Sequence, residues 1–346
     1  MLRKIFTASI ALAAYVSVQA QDSTVSPLKI SGSADVYYRY NFNNPKTGNY
    51  NSYTSFTGTQ NTFQLGMASL KAEYTKGKAG VVIDLGFGQR AEEFAYNDAN
   101  TRYAIKQLYL TYAPSDKVKF TFGSWATHVG YEVLDAYLNR NYSMSYMFSF
   151  GPFSHTGVKA DISLGGKSAL MLGIANPTDF RSFSGAPKTF IGQFSTGSKD
   201  DKLKAYLNFA GGKQTDSTRI IQGDVVLTYA VSDKFSLGYN GTVQSVGMKE
   251  NGDWNSNSWW GSAVYLNVDP ESWFGLTLRG EYIGDKNIVK VGNVFAATLS
   301  ANFKVDNLTI IPEFRLDNAK NEIFTKSAGD LTKSTGSFIL AATYHF

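Results

Sequence analysis

The chain has 346 residues, with 33 lysines and arginines against 28 aspartates and glutamates and a formal net charge of +5. Nucleic-acid binding usually needs a clustered basic face, so a balance this even argues against that class of protein. Aromatic residues reach 14%, glycines number 32, and the chain contains no cysteine. The composition excludes disulfides and thiolate metal sites, and it favours strands with a narrow apolar face over helices that are apolar all round.

The first twenty residues predict a signal peptide, residues 1–20. Arg3 and Lys4 precede an apolar run at residues 5–18, and Ala20 ends a small-residue cleavage site. Residues 21–27 then form a short N-terminal segment. No later window approaches eighteen consecutive apolar residues, so the sequence predicts no transmembrane helix. Export without a helical anchor leaves a secreted, periplasmic or outer-membrane β-protein.

From residue 28 onwards, apolar and polar residues alternate with period 2, which is typical of strands whose two faces meet different solvents. Residues 28–40 show the pattern most clearly. In the next segment Met67 falls on the apolar face, and the phase then changes before Leu70, which predicts a β-bulge near Ala68 and Ser69. Similar segments follow to the end of the chain, about sixteen in all.

The connections between these segments alternate in length. Short turns are predicted at residues 77, 115, 165, 199, 232, 270 and 306. Longer polar connections are predicted near residues 41–61, 90–102, 125–152, 177–187, 211–218, 247–257, 285–292 and 318–335. This alternation indicates an up-and-down barrel, with short turns on the periplasmic side and long loops outside. A Greek-key sandwich would not sort its loops in this way.

The two faces of the predicted strands differ in charge. One face carries almost no charged residue, and the other carries Lys29, Asp35, Arg39, Lys71, Glu73, Asp84, Lys117, Lys119, Lys159, Asp161, Lys204, Asp224, Arg279, Glu281, Glu313, Arg315 and Asp317. A Lys or Arg facing lipid would cost about 2–4 kcal/mol near the bilayer midplane. The sequence therefore predicts an all-β, single-domain transmembrane antiparallel β-barrel of about sixteen strands, spanning residues 28–346 around a wet lumen.

The last eleven residues, 336–346, form another amphipathic strand with period 2. Phe338, Leu340, Tyr344 and Phe346 share one face, and the length suits a tilted strand that crosses a bilayer. With aromatics at alternate positions and a final Phe, this strand resembles the assembly signal of bacterial outer-membrane β-barrels, which implies that Tyr344 and Phe346 form such a C-terminal signal. The alternative is an ordinary edge strand of a soluble sheet.

Several motifs carry a family resemblance. They are GYE at residues 130–132, NYS at 141–143, GPFSHTG at 151–157, LRGEY at 278–282 followed by Asp285, and PEFRLD at 312–317. Together they resemble the OmpL-like β-barrel porins of Gram-negative bacteria, over residues 28–346. The resemblance implies an outer-membrane pore of loosely defined substrate. It implies no particular selectivity.

The longest predicted connection, residues 125–152, is the third long loop. In sixteen-stranded porins a loop at this place often folds into the lumen and narrows it. Here Glu132, Asp135 and Arg140 stand among tyrosines, and we predict a constriction that sets acid and base across the channel. The alternative is an external loop whose aromatic residues only pack together.

Five lumen-facing charges are predicted to lie on neighbouring strands, namely Arg279, Glu281, Glu313, Arg315 and Asp317. They could form a cross-strand ladder of ion pairs that steers ions. Alternatively, they are solvated charges that stiffen the wall.

An enzyme is not expected. The histidines are His128, His155 and His345, and no HExxH motif or metal-ligand spacing occurs. Ser154 and His155 invite comparison with a lipase-like barrel, but consecutive strand residues point to opposite faces. No catalytic residue, cofactor or metal is predicted.

The function predicted from the sequence is a porin for passive diffusion of small hydrophilic solutes or ions across a bacterial outer membrane. The alternative is a non-conducting barrel that acts as an adhesin or structural anchor. The expected partners are outer-membrane lipid, the barrel assembly machinery and permeating solutes, but no nucleic acid. A homotrimer is one option, since trimers are common among sixteen-stranded porins, although the sequence carries no interface signal.

Overall fold

The computed structural model describes residues 27–185 and 187–346. The predicted signal peptide, residues 1–20, and residues 21–26 of the predicted N-terminal segment lie outside the described residues. Sixteen antiparallel strands form one closed barrel, in which strands adjacent in the chain pair with each other and the first pairs with the last. The predicted fold class is confirmed.

The strands are β1 (Leu28–Asn41), β2 (Thr62–Lys76), β3 (Ala79–Phe87), β4 (Ile105–Ser115), β5 (Val118–Ala126), β6 (Ser154–Gly165), β7 (Ser168–Ala175), β8 (Thr189–Gly197), β9 (Leu203–Lys213), β10 (Thr218–Ala230), β11 (Phe235–Glu250), β12 (Asp253–Glu271), β13 (Phe274–Asp285), β14 (Val294–Val305), β15 (Leu308–Ala319), β16 (Phe324–Thr325), β17 (Leu331–Thr332) and β18 (Ser334–His345). Strands β16 and β17 form a separate ribbon.

In residues 27–185 and 187–346, helical structure is confined to the connections. The helices are α1 (Gln89–Phe94) and α2 (Tyr146–Phe150), and the 3₁₀ segments are Asn100–Ala104 and Ala136–Leu138. Within the described ranges, none of these helices has the length and apolar character that crossing a membrane would need.

Closure of the barrel depends on the pairing of β1 with β18, which runs from Ser33 opposite His345 to Asn41 opposite Ser337. Beyond the ladder, the backbone amide of Phe346 donates to the carbonyl of Gly32 at 2.9 Å, and the Gly32 amide donates back at 3.0 Å. Closure matters because hydrocarbon offers no hydrogen-bond partner to an unpaired strand edge.

The barrel has an apolar outer face and a polar lumen, as the alternation predicts. On the outer face, Leu299 and Leu340 are 48% and 44% exposed. Arg279 and Arg315 point inward and are buried. A soluble barrel would show the opposite arrangement, with a dry apolar interior.

One predicted register detail is wrong. Asp35 pairs with Met67 while Val36 pairs with Leu65, so the extra residue of the bulge is Gly66, before the predicted Ala68 and Ser69. Met67 is consequently buried inside the barrel and does not lie on the outer face. Because Gly66 has no side chain to mark its face, the alternation of side chains could not locate the bulge.

Most connections follow the predicted order, with short turns at one end of the barrel and longer loops at the other. The fifth predicted long connection, near residues 211–218, is an exception, since it comprises only residues 214–217 and is shorter than the turn at residues 198–202. The first, second, third and fourth loops are residues 42–61, 88–104, 127–153 and 176–188. The sixth long connection, predicted near residues 247–257, is absent: β11 and β12 pair as far as Glu250 opposite Asp253. Asn251 and Gly252 both have positive φ and close a two-residue hairpin turn, which this residue pair favours.

Candidate functional site: the lumen and the third loop

The third loop lies inside the lumen. Tyr142 is fully buried, and its hydroxyl donates to Asp35 Oδ2 of β1 at 2.6 Å. The Tyr131 ring stacks on Tyr265 of β12 with ring centroids 4.0 Å apart, and the Tyr137 ring stacks on His345 of β18 at 4.8 Å. The loop therefore contacts wall strands on different sides of the barrel.

Backbone amides of the loop bind carboxylates of the wall. Tyr142 N and Ser143 N donate to the two carboxylate oxygens of Glu313 on β15, at 2.7 and 3.0 Å. Tyr146 N donates to Glu281 on β13 at 2.8 Å. Burial of a carboxylate costs free energy unless hydrogen-bond donors surround it. Each of these acids therefore stabilises the loop in the position where its backbone amides reach the carboxylate.

The three predicted constriction residues each bind a different wall strand. Glu132 forms an ion pair with Arg279 on β13, and Asp135 binds Lys106 on β4 at 2.6 Å. Arg140 binds both carboxylate oxygens of Asp269 on β12, at 2.8 and 2.9 Å.

These ion pairs change the electrostatic interpretation of the third loop. Acid and base are in direct contact, so each pair largely neutralises itself and none spans open water. The geometry therefore gives Glu132, Asp135 and Arg140 a role as attachments that hold the loop. That the loop constricts the channel remains a prediction.

Four of the five wall charges form one buried cluster of ion pairs beneath the loop. Arg315 binds Asp317 at 2.8 Å and Glu281 at 3.2 Å, and Arg279 lies 3.3 Å from Glu281. Glu313 belongs to the same layer, but it binds the loop. Contrary to the prediction, the charges do not lie on neighbouring strands, because β14 separates β13 from β15. The charges meet because Arg side chains are long enough to cross it.

The sequence analysis missed a second anchor in the second loop. Arg90 of α1 is buried, 3.6 Å from Asp35, and its guanidinium lies over the rings of Phe56 and Tyr142, at 4.8 and 5.0 Å. It thus joins the first, second and third loops to β1. An isolated arginine at the start of a predicted polar loop carries no signal for such a role.

His128 and His155 contact atoms of the third loop and of the wall. His155 Nε2 lies 3.0 Å from Thr127 Oγ1, and His128 Nε2 donates to the Phe209 carbonyl at 3.1 Å. Burial lowers the pKa of His128 in the third loop to about 4, so its ring is neutral at pH 7. Within residues 27–185 and 187–346, no three His, Asp or Glu side chains are grouped so that they could hold a metal ion.

The residues of the predicted assembly signal lie on the outer face. Tyr344 is 47% exposed and Phe346 is 62% exposed. Both are therefore available to a partner or to lipid at the turn end of the barrel.

Comparison of the chain with known protein families and structures identifies porins. The family model described as "Putative beta-barrel porin-2, OmpL-like" matches residues 27–346. No curated protein matches the chain significantly.

Solved structures with the same fold are numerous. The outer membrane channel DcaP of Acinetobacter baumannii has a TM-score of 0.63 at 13% identity, covering 92% of this chain and 97% of that one. The anion-selective porin from Comamonas acidovorans has 0.58 at 10%, covering 92% and 99%. The trimer form of in-vitro folded OmpT from Vibrio cholerae has 0.57 at 12%, covering 92% and 99%. At these identities the likeness concerns the fold.

Proposed function

We propose that the third loop of this chain, which belongs to the OmpL-like β-barrel porin-2 family, sets the size limit of an outer-membrane diffusion channel. The protein is a porin of the bacterial outer membrane, and small hydrophilic solutes or ions cross it passively through a water-filled lumen. The polar lumen and the apolar outer face suit this activity.

The observation that carries the proposal is the path of the third loop through the lumen. Tyr142 binds Asp35 on β1, and Asp135 binds Lys106 on β4. Arg140 binds Asp269 on β12. A segment held at three separate parts of the wall reduces the open cross-section, and it cannot swing out without breaking ion pairs and hydrogen bonds together.

The charges of the third loop act mainly through this attachment. Glu132, Asp135 and Arg140 fix the loop. Val133 and Leu138 between them are half-buried, so part of each residue stays in contact with solvent. In this scheme Arg279, Glu281, Glu313, Arg315 and Asp317 form the seat of the loop and contribute little to ion steering.

Cysteine substitution tests the constriction, since the native chain has no cysteine. A positively charged methanethiosulfonate reagent should react with Leu138→Cys and lower the single-channel conductance. The matched control is Lys249→Cys on the outer hairpin, where the same modification should leave conductance unchanged. If modification changes the conductance of the two variants equally, the third loop does not line the permeation path.

The second candidate function is a non-conducting barrel that serves as an anchor or adhesin. It is favoured by the full burial of many lumen side chains, such as Tyr142, Met144 and Arg279. Planar-bilayer recording separates the two functions: the porin gives stepwise openings, and the anchor gives none. Enzymatic activity is a weaker proposal, since the family consists of porins; ester hydrolysis lost in Ser154→Ala would support it.

For partners, we propose outer-membrane lipid around the apolar face and the barrel assembly machinery at the C-terminal strand, through Tyr344 and Phe346. The proposal of a homotrimer is supported by the unequal lengths of the barrel strands, which make the barrel wall lower on one side. Strands β3 to β8 have 8 to 12 residues, whereas β11 and β12 have 16 and 19. The low wall is the side that could face other subunits, and the OmpT structure is a trimer. Native mass spectrometry in detergent tests this: a single mass of one subunit would contradict it.

A further inference from the structure

Acids and bases of the lumen differ in their exposure to water. The buried lumen charges comprise five bases, Arg39, Arg90, Lys106, Arg279 and Arg315, and seven acids, Asp35, Asp84, Asp224, Glu132, Glu281, Glu313 and Asp317. The lumen charges that keep contact with solvent towards the turn end comprise seven bases, Lys29, Lys71, Lys119, Arg140, Lys159, Lys204 and Lys304, and four acids, Glu73, Asp135, Asp161 and Asp269. The wetted wall is therefore basic, although the buried layer is acidic.

The third loop causes this separation. Its backbone amides cap wall carboxylates: Gly130 N donates to Asp224 at 3.1 Å, Tyr146 N to Glu281 at 2.8 Å, and Tyr142 N to Glu313 at 2.7 Å. A backbone amide satisfies a carboxylate without adding a charge, and the loop above it excludes water and ions. These acids are therefore hidden from the permeant.

Two of the four exposed acids, Asp161 and Asp269, are each shared between two bases, whereas Glu73 pairs with Lys71 and Asp135 pairs with the buried Lys106. Asp161 lies 3.2 Å from Lys159 and 3.9 Å from Lys119. Asp269 lies 2.8 Å from Arg140 and 3.4 Å from Lys304. Each group of three keeps one positive charge in excess.

Strand register places three of these bases on one side of the bore, on β5, β6 and β9. Lys119 on β5 stands opposite Asp161 on β6, and Lys159 stands opposite Thr121, so all point into the lumen. Lys204 on β9 stands opposite Gly197 and Thr228, on the same inward face. Charges of one sign on a low-dielectric wall raise the local concentration of counter-ions in the bore.

We infer that the channel prefers small anions, such as chloride and short carboxylates, and that Lys119, Lys159 and Lys204 determine this preference. The inference rests on the proposed function, since it assigns a permeant class to the same lumen. The third loop supports the preference by covering the wall carboxylates, in addition to narrowing the bore.

The test is the reversal potential of single channels across a potassium chloride gradient. The native protein should pass chloride more readily than potassium. The triple variant Lys119→Gln, Lys159→Gln, Lys204→Gln should lower the chloride-to-potassium permeability ratio about twofold or more. The matched control, Lys213→Gln, Lys249→Gln, Lys286→Gln, removes the same charge from exposed positions at the loop end, and its ratio should stay near the native value.

The outcomes separate this inference from the proposed function. A channel that opens but prefers potassium, or a triple variant that changes no more than its control, overturns the anion preference and leaves the porin intact. Absence of any conductance in the native protein overturns both. Circular dichroism should show native strand content in both triple variants, since all six lysines lie at least partly in water.

Discussion

The hydroxyl of Tyr142 donates to Asp35 Oδ2 at 2.6 Å, which joins the third loop to the first barrel strand. Asp35 also lies 3.6 Å from Arg90 of the second loop. One buried carboxylate thus holds two loops against the wall, at the place where β1 meets the bulge of β2.

Removing this hydroxyl should loosen the third loop. In Tyr142→Phe, Asp35 loses one donor but keeps Arg90, so we expect a stability loss of about 1–2 kcal/mol. The measurement is the midpoint of thermal unfolding in detergent, with current noise in bilayers as a second readout of loop motion. Tyr112→Phe on the outer face is the control and should change neither. A native midpoint and native noise in Tyr142→Phe would contradict the assigned contact.

The ion pairs of the loop should differ in strength according to burial. Glu132 is buried against Arg279, and its loss in Glu132→Gln leaves a buried guanidinium short of an acceptor, at a cost of about 3 kcal/mol. Arg140 and Asp269 are 23% and 17% exposed, so Arg140→Gln should cost about 1 kcal/mol. Urea unfolding in lipid vesicles gives both values. A larger loss of stability in Arg140→Gln than in Glu132→Gln would mean that the exposed ion pair contributes more to holding the loop than the buried one.

The fourth loop should show a pH dependence. Asp179 accepts hydrogen bonds from Phe153 N, Ser154 N and the Tyr96 hydroxyl, at 2.7, 2.8 and 3.0 Å, and burial raises its pKa to about 6. An unfolded aspartate has a pKa of about 3.9, so the folded state holds the proton more tightly. Its stabilising effect is therefore complete below about pH 4 and is lost as the pH rises through 6.

Hydrogen exchange of the Phe153 and Ser154 amides checks this prediction. After correction for intrinsic rates, protection should be greater at pH 5 than at pH 7. Asp179→Asn, which is neutral at both values, should abolish the difference. Protection that increases from pH 5 to pH 7 in the native protein would contradict the raised pKa.

Gly66 should tolerate no side chain. A Cβ at this position would lie 1.7 Å from Asp35 Oδ2, so Gly66→Ala would displace the carboxylate that Tyr142 and Arg90 bind. We expect a lower unfolding midpoint and a lower yield of folded barrel on heat-shift electrophoresis. Gly223→Ala is the control, since a Cβ there meets no atom within 4 Å. Equal yields of the two variants would show that Asp35 can move without loss.

Much of the fold could be predicted because alternation of side chains is a local property. It defined the strands and the faces on which Leu299 and Arg279 lie. It failed at Gly66, which has no side chain to count, and at Asn251 and Gly252, where polar strands outside the bilayer resemble a loop. The preference of an Asn-Gly pair for a two-residue hairpin turn is the signal in the sequence that identifies this connection.

The attachments of the third loop could not be predicted from the sequence. Glu132 and Arg279 are 147 residues apart in the chain, and only barrel closure brings them together. Their types suggested a charged lumen, but the sequence does not show which acid meets which base or backbone amide. For the same reason, Arg90 looked like one more loop residue.

The most direct test of the account is the single-channel conductance of a variant that lacks residues 133–148. The control lacks residues 249–254 of the outer hairpin, and circular dichroism confirms that both barrels fold. If the third loop narrows the bore, its deletion enlarges the conductance steps well beyond those of the control. Steps of native size in the folded deletion variant would contradict the claim that the loop sets the channel width.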